Sequence, residues 1–406
     1  MRCLLGMRRY VNRFGSRHLL VFFIPVCAVL AALFIGAIML AALGASPLKG
    51  YGVMIAAAFG SLDGLSTTAV KSIPLLLVGV GICIAFRANV INIGGEGQMV
   101  MGALFATVAS LAFPHLPAFA LLPIVLLAGA MGGALLGAVP GALKAYFNVS
   151  EILSTIMLNI VAVQIMNFLL RGPLIDPGEI MRGTRIPQTA RLSQNADLPM
   201  LFEGLRMHAG VVVALLAAVA AYILLWRTSL GFRLRSVGLS PDAARYAGIP
   251  VRRSIIIALA FSGAMAGLAG AVLVFGSESH RMVTDGSSTG FTGSAGFNGI
   301  VVALFAGLHP LWSIPSSLLF GGMLVGANAL QRAVQVPSAL VIALNGLIVV
   351  FVVSSEFFRR RSRPQPSEES LRLAPSTQAG WEAVVDPPVG LKRFSGTNER
   401  EMNAHE

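Results

Sequence analysis

The sequence predicts an all-α protein, a polytopic transmembrane helical bundle of about ten spans. Charged residues make up only 12% of the 406 residues, hydrophobic residues make up 55%, and the mean hydropathy is +0.77. A soluble protein of this length needs far more charge to cover its surface. The long apolar runs, each bounded by polar or basic residues, are typical of membrane-spanning helices.

Ten apolar runs are long enough to cross, or nearly cross, the hydrocarbon of a bilayer. They lie at 19–45, 74–86, 98–112, 121–143, 151–170, 210–226, 255–275, 296–308, 311–330 and 337–358. Several are shorter than the ~20 residues of a full helical span, so a count of eight or nine is also compatible with the sequence. We expect some of these helices to be broken or tilted.

The distribution of arginines predicts the orientation. Arginines precede the first run within residues 1–18, lie between the sixth and seventh runs within 227–253, and follow the last run at 359–363. Placing all three clusters in the cytoplasm requires an even number of crossings and puts both termini in the cytoplasm. The connection 171–209 carries five arginines but also four acidic residues. It is the longest internal loop, where the rule is weakest, and we place it outside.

Three segments follow from these patterns. Residues 1–18 form a basic cytoplasmic N-terminal segment, and residues 19–358 form the transmembrane domain. Residues 359–406 are rich in Pro, Ser and Glu with few apolar residues to bury, so we expect a disordered cytoplasmic tail.

The net charge of +12 does not indicate a nucleic-acid-binding protein. The basic residues cluster at the ends of apolar runs, where topology and contacts with anionic membrane lipids account for them. The spacing of Cys3, Cys27 and Cys83 predicts neither a metal site nor a disulfide framework. We therefore expect membrane lipids as partners, no nucleic acid, no metal and no cofactor.

A polar insert interrupts the apolar sequence at residues 87–98. It contains Arg87, Asn89, Asn92, Glu96 and Gln98, with three glycines around the acid. Charges and irregular backbone cannot face lipid in the hydrocarbon. The insert therefore lies at the cytoplasmic end of the second span, or it unwinds and lines an internal cavity. A third reading is purely structural: Arg87 pairs with Glu96, and the amides satisfy freed backbone groups.

Two further polar islands are candidates for the same cavity. In 148–159, one helix face is formed by residues at three- and four-residue steps: Glu151, Ser154, Thr155, Leu158 and Asn159. Helix capping and interhelical hydrogen bonding explain that face equally well. The Gly/Ser/Thr-rich stretch 277–299, which contains Asn298, is either an outer gate or a flexible connection.

Residues 238–250, GLSPDAARYAGIP, predict a short cytoplasmic helix. Ser240 is a favourable N-cap, Pro241 suits the first helical position, and Asp242 suits the positive helix terminus. Gly248 can end the helix in a left-handed conformation, and Pro250 prevents its continuation. Such a short helix needs a docking partner, either the membrane surface or a cytoplasmic protein. The candidate element comprises Ser240, Pro241, Asp242, Ala243, Ala244, Arg245, Tyr246, Ala247 and Gly248.

Three segments resemble one family. These are FRANVINIGGEGQMVMGA, NVSEILSTIMLN with the following NFLLRGP, and GFRLRSVGLSPDAARYAGIPVRR. They are similar to the permease subunits of bacterial ABC importers of the simple-sugar and nucleoside branch, whose binding proteins are basic-membrane-protein-type lipoproteins. The resemblance covers about residues 20–358, and the remaining terminal segments match nothing in the family.

The resemblance implies a multi-pass inner-membrane permease without catalytic residues. It implies three protein partners: a second permease subunit, a cytoplasmic double-cassette ATP-binding subunit, and a periplasmic or lipid-anchored substrate-binding protein. It also implies that the short helix Ser240–Gly248 couples the permease to the ATPase. ATP hydrolysis on another chain agrees with the absence of a Walker A motif from this sequence.

We therefore predict import of a nucleoside or, second, of a simple sugar. The candidate path residues, chosen for their polarity and placement, are Asn89, Asn92, Glu96, Gln98, Glu151, Thr155, Asn159 and Asn298. A first alternative is an ion-coupled secondary transporter that uses Glu96 and Glu151. A second, an intramembrane enzyme, is disfavoured because none of the six histidines lies deep in an apolar run.

Overall fold

The chain is almost entirely α-helical in a computed structural model. The structure describes residues 30–31, 33–42, 44, 46–202, 204–276, 280–284, 286–335, 343, 346–347 and 350–351. Within that part of the chain, β-structure is confined to two isolated antiparallel bridges, Gln188 with Val283 and Met200 with His208. The helices are α1 Leu33–Ala42, α2 Pro47–Phe59, α3 Leu62–Arg87, α4 Gly95–Ala112, α5 Ala118–Phe147, α6 Glu151–Arg171, α7 Pro177–Arg182, α8 Gly210–Arg227, α9 Ser229–Leu239, α10 Pro241–Tyr246, α11 Val251–Phe275, α12 Ser288–Thr292, α13 Ala295–Phe305 and α14 Ser313–Val334.

Six of these helices are long and apolar enough to cross a membrane: α3, α5, α6, α8, α11 and α14. This confirms a polytopic, all-helical membrane protein. The count of ten spans stays a prediction, because most of the apolar run 337–358 and more than half of 19–45 lie outside the described residues. The segments 1–18 and 359–406 also lie outside them.

Several helix bounds differ from those predicted. α3 begins at Leu62, twelve residues before the predicted 74, because it continues through Pro74 and carries buried polar residues in its first half. These lower the local hydropathy but are covered by neighbouring helices. α2 and α9 lie outside the apolar runs from which the helices were predicted. α13 has only 11 residues, about 16 Å of helix, and is too short to cross the ~30 Å hydrocarbon alone.

α3 is the central helix of the bundle. It packs against α8, α11, α13 and α14, and 78% of its most apolar window is buried, compared with 28% for α5 and for α6. A helix that is apolar all round and buried belongs to the core, whereas α5 and α6 keep broad apolar faces for lipid. The residues that flank α3 are therefore attached to the most deeply buried of the six long helices.

Glycines allow α5 and α11 to pack backbone against backbone. A Cβ added at Gly133 would lie 2.1 Å from the carbonyl oxygen of Gly263, and one added at Gly267 would lie 2.2 Å from that of Gly129. Close approach through small residues at four-residue spacing is a common way to associate helices in membranes. α4 joins the same seam, since a Cβ at Gly102 would lie 2.2 Å from Cα of Gly267.

Candidate functional site

The polar insert turns back along α3 instead of continuing outward. After α3 ends at Arg87, the amide of Val90 donates to the carbonyl of Ala85 at 3.1 Å. α4 then begins at Gly95, whose added Cβ would lie 3.3 Å from Cγ1 of Val78. Nine residues of α3 separate Val78 from Arg87, a rise of about 14 Å. Residues 88–94 therefore bring α4 back to start beside the middle of α3.

Amide side chains hold this returning segment in place. Nδ2 of Asn92 donates to Oε1 of Gln98 and to Oγ of Ser262 on α11, both at 2.8 Å. Oδ1 of Asn92 accepts from the Gly94 amide at 2.9 Å and from Nε2 of Gln98 at 3.2 Å. Asn92 and Gln98 are each only 1% exposed. Buried amides with satisfied donors and acceptors fix a non-helical backbone at low cost.

α6 fixes the same segment from the other side. Nδ2 of Asn159 donates to the carbonyl of Ile93 at 3.0 Å, and its Oδ1 accepts from the amide of Gly97 at 2.8 Å. The hydroxyl of Thr155 accepts from the amide of Ile93 at 3.4 Å. A Cβ at Gly97 would lie 2.8 Å from Cα of Asn159, so only glycine permits this approach.

Glu96 joins the first turns of two helices, α4 and α13. Its Oε1 accepts from the amide of Phe297 at 3.2 Å, and its Oε2 accepts from the hydroxyl of Thr292. A Cβ at Gly296 would lie 2.4 Å from the amide nitrogen of Glu96, so the two helix ends are in direct contact. A carboxylate at 1% exposure is thereby placed at two positive helix termini, where negative charge is stabilised.

We call this cluster the helix junction. It comprises Asn92, Gly94, Gly95, Glu96, Gly97, Gln98, Thr155, Asn159, Ser262, Thr292, Gly296 and Phe297. Five of the eight candidate path residues meet here, and all five are buried. They hold one another and the backbone.

The other three candidate path residues lie elsewhere. Glu151 forms an ion pair with Lys144 across the α5–α6 turn, with 3.1 Å between Oε2 and Nζ. Asn89 is exposed in a left-handed conformation with φ of 57°. Asn298 is half-buried on the first turns of α13.

The contacts described for Arg87 and Glu96 go to different partners. Nη2 of Arg87 donates to the carbonyl of Leu308 at 3.1 Å, and its guanidinium lies 5.2 Å from the ring centroid of Trp226. Glu96 instead contacts the ends of α12 and α13. Of the amides in the insert, Asn92 satisfies a backbone group, the Gly94 amide, and the contacts described do not include an ion pair between Arg87 and Glu96.

The predicted short helix is α10, and its local signals act as expected. Oγ of Ser240 accepts from the amide of Ala243 at 3.3 Å, and Pro241 occupies the first turn. Gly248 has φ of 77°, and the following amide of Ile249 donates back to the carbonyl of Ala244 at 2.9 Å. This is the left-handed ending that glycine favours.

α10 has an inner and an outer side. Ala244 is 4% exposed and packs with Val237 of α9 and Val251 of α11. Tyr246 of α10 is 95% exposed, and Leu239, which ends α9 just before it, is 88% exposed. Any partner of α10 would therefore contact the side that carries Leu239 and Tyr246, while Ala244 attaches the helix to its own bundle.

One polar region was missed by the sequence analysis. Asn328, Gln331, Arg332 and Gln335 border an open pocket of about 550 Å³ at the end of α14. A second open pocket, of about 460 Å³, shares Arg332 and is lined by Asp63 and other residues near the start of α3. The sequence signal that could have indicated this region is the three- and four-residue spacing of these polar residues at the end of a predicted span.

Comparison with known proteins identifies the family. The family described as "Branched-chain amino acid transport system / permease component" matches residues 64–353. The chain belongs to this family of ABC transporter permease components.

Three relatives match most of the chain. The glucose ABC transporter permease protein TsgB13 of Haloferax volcanii is 35% identical over 348 residues, 83% of this chain and 88% of that protein. The guanosine ABC transporter permease protein NupP of Bacillus subtilis is 35% identical over 342 residues, 84% of this chain and 95% of that protein. The nucleoside ABC transporter permease protein NupB of Lactococcus lactis is 30% identical over 334 residues, 81% of this chain and 90% of that protein.

These matches confirm the resemblance found in the sequence. The chain is a multi-pass protein of the plasma membrane and a translocation subunit of an ABC importer, not an enzyme. Its relatives divide between nucleoside and sugar permeases. Family membership sets aside both the ion-coupled carrier and the intramembrane enzyme.

Proposed function

We propose that this permease imports a nucleoside across the plasma membrane, driven by ATP hydrolysis on a partner subunit. The observation that carries the proposal is the match to the guanosine permease NupP, which aligns over 95% of its length at 35% identity. The match to the nucleoside permease NupB supports it. The second candidate solute is a simple sugar, favoured by the equally strong identity to the glucose permease TsgB13.

The polar groups of the interior agree with a neutral solute. Apart from Glu96, the polar side chains of the junction are amides and hydroxyls, which match the hydroxyls and ring nitrogens of nucleosides and the hydroxyls of sugars. Both carboxylate oxygens of Glu96 already accept hydrogen bonds from donors of the protein itself. In our proposal the junction is the hinge of the translocation path. Asn89 and Asn298, whose side chains are not fully buried, are its candidates for direct contact with solute.

The proposed partners are a double-cassette ATP-binding subunit, a second permease subunit and a substrate-binding protein. Bacillus subtilis has two guanosine permease proteins among the relatives, NupP and NupQ, and NupQ is 28% identical to this chain over 261 residues. We infer that this chain pairs with a related permease in the same way. The ATPase docks on α10 and the binding protein on the opposite, external side of the membrane.

The solute is tested first with the substrate-binding protein that we expect to be encoded beside this permease. A thermal-shift screen of guanosine, adenosine, uridine, glucose and ribose is expected to show stabilisation by one or more nucleosides. Stabilisation by sugars alone would reject the nucleoside and select the second candidate. Stabilisation by none of these solutes would contradict the proposed substrate class.

The coupling role of α10 is tested on its outer side. Leu239→Asp and Tyr246→Asp place a charge on residues that are almost fully exposed, so the fold should tolerate them while docking of the ATPase weakens. We expect the ATPase to co-purify in lower amount and uptake to fall. Met181→Asp, 89% exposed on α7, is the matched control. Normal co-purification and uptake in both variants would contradict the coupling role.

Ala244 is a poor position for the same test. A bulky charge there would face Val237 and Val251 and would detach α10 from its own bundle. Loss of transport in such a variant would follow from misfolding as readily as from lost docking, so the exposed residues give the sharper result.

A further inference from the structure

Two open pockets adjoin at the end of the bundle that lies farthest from α10. One is lined by Ser61, Asp63, Thr67, Arg206 and Arg332 among others, and has a volume of about 460 Å³. The second shares Arg332 and adds three amide side chains. Together they form what we call the outer polar pocket, whose polar lining residues are Ser61, Asp63, Thr67, Arg206, Asn328, Gln331, Arg332 and Gln335.

The pocket and α10 lie at opposite ends of α3. Asp63 is in the first turn of α3, and Arg87 ends that helix, about 36 Å further on at 1.5 Å per residue. α9, which leads into α10, lies at the Arg87 end, because a Cβ at Gly238 would lie 2.1 Å from the Arg87 carbonyl oxygen. With α10 in the cytoplasm, the pocket opens toward the outside.

The polar residues of α14 share one face of the helix. Asn328, Gln331, Arg332 and Gln335 follow at three- and four-residue steps, and Nε of Arg332 donates to the Asn328 carbonyl at 3.3 Å. Earlier on the same helix, Gly321 packs against Ser72 of α3. The first part of α14 thus packs against α3, and its last turns form a polar wall of the pocket near the start of α3.

The chemistry of the wall fits a solute with neighbouring hydroxyl groups. The carboxylate of Asp63 can accept from two adjacent hydroxyls, while the amides of Asn328 and Gln331 can both donate and accept. Pockets that bind small molecules have volumes of about 300–1,000 Å³ with a few convergent polar groups. The ribose of a nucleoside and the ring of a hexose both present vicinal hydroxyls.

We infer that the outer polar pocket is a solute subsite that recognises a vicinal diol. The inference rests on the proposed function, because it names where the imported solute first contacts the permease. Solute released by the binding protein would lie here before the junction opens. The pocket would select for hydroxyl groups and would not distinguish one base from another.

The subsite is tested by thiol labelling of the assembled transporter. Asn328→Cys and Gln331→Cys are labelled with a membrane-impermeant reagent in intact vesicles with the external face outward. The unsubstituted chain gives the background from its own cysteines. Met181→Cys on α7 is the matched control, since it is exposed but lies outside the pocket. Guanosine, glucose and 2′,3′-dideoxyguanosine are the probes.

Guanosine or glucose is expected to slow labelling at both pocket positions, by about fourfold at three times its dissociation constant. The dideoxy analogue and the control position should show no slowing. Slowing by the dideoxy analogue as strong as that by guanosine would overturn recognition of the diol.

Uptake by the same vesicles separates the two proposals. Normal uptake of nucleoside or sugar with unslowed labelling would overturn the subsite alone. Absence of uptake for both solute classes in the unsubstituted transporter would overturn the proposed function. Asp63→Asn gives a second test without cysteines. We expect it to raise the KM for uptake several-fold with unchanged Vmax, and an unchanged KM would contradict the subsite.

Discussion

Replacing Glu96 separates its role in holding the helix junction from any role of its charge in transport. Glu96→Ala removes the acceptor of the Phe297 amide and of the buried Thr292 hydroxyl. Leaving the Phe297 amide without its acceptor costs about 1–3 kcal/mol. We expect a large loss of folded protein and a corresponding loss of uptake.

Glu96→Gln keeps the shape and one acceptor oxygen. The amide oxygen still accepts from the Phe297 amide, and the amide NH₂ donates to the Thr292 hydroxyl after that hydroxyl rotates. The variant loses the interaction of the charge with two helix termini, about 0.3–1 kcal/mol and at most ~2. We expect near-normal folded yield and near-normal uptake, because the energy of transport comes from ATP.

Two measurements are made on each variant. The first is the fraction of protein that stays monodisperse after a heat step in detergent. The second is solute uptake by vesicles that contain the assembled transporter. Glu151→Ala is the control carboxylate, since its ion pair with Lys144 joins partly exposed side chains and contributes about 0–1 kcal/mol. Equal heat resistance of Glu96→Ala and Glu151→Ala would refute the hydrogen-bond reasoning. A well-folded Glu96→Gln without uptake would show that the carboxylate itself works in transport.

Two further predictions concern the scaffold. Gly267→Ala places a Cβ 2.2 Å from the carbonyl oxygen of Gly129, so it should force α5 and α11 apart and sharply lower the yield of folded protein in the membrane. The control is Gly52→Ala, whose Cβ meets nothing within 4 Å. Equal yields of the two variants would contradict the close packing of α5 and α11. Burial lowers the pKa of His208, and the Nδ1 atom of this histidine accepts from the Gly210 amide at 3.1 Å. Neutral His208 therefore contributes to the stability of the fold above the ordinary histidine pKa. That contribution is lost as the pH falls below that value. His208→Asn keeps an acceptor without titrating and should reduce the loss of heat resistance between pH 7.5 and 5.5, whereas an unchanged pH dependence would exclude His208 as its source.

Local signals predicted α10 well because its determinants are close in sequence. The Ser240 cap, Pro241 in the first turn and the left-handed Gly248 act within one or two turns of the chain. The same local reading could not tell that Ala244 faces inward. That depends on Val237 and Val251, which belong to neighbouring helices.

The polar insert shows the limit of reasoning from composition. Its polarity predicted that it does not face lipid, and Asn92, Glu96 and Gln98 are each only 1% exposed. Thr155 and Asn159, predicted on one helix face, both contact this segment. The sequence could not show that the side chain of Asn159 accepts a hydrogen bond from the amide of Gly97, 62 residues earlier. It therefore could not separate side chains that line a cavity from side chains that hold a backbone together.

The outer polar pocket was missed for a related reason. A helical face with Asn328 and Gln331 near the end of a span is ordinary for residues at a membrane surface. It becomes a candidate site only because the start of α3, with Asp63, lies across from it.

The sequence by itself determined that the chain is a helical membrane protein, where most of its long helices lie, and which family it belongs to. Hydrocarbon admits only backbone that is hydrogen-bonded within the segment or shielded, so long apolar runs must become helices whatever surrounds them. Only the tertiary structure decided which polar side chains meet. Glu96 and Phe297 are joined across 201 residues, and no local preference fixes such a contact. The contact arises because glycines allow the helices to pack so closely that the carboxylate of Glu96, at the start of one helix, accepts hydrogen bonds from the ends of two others.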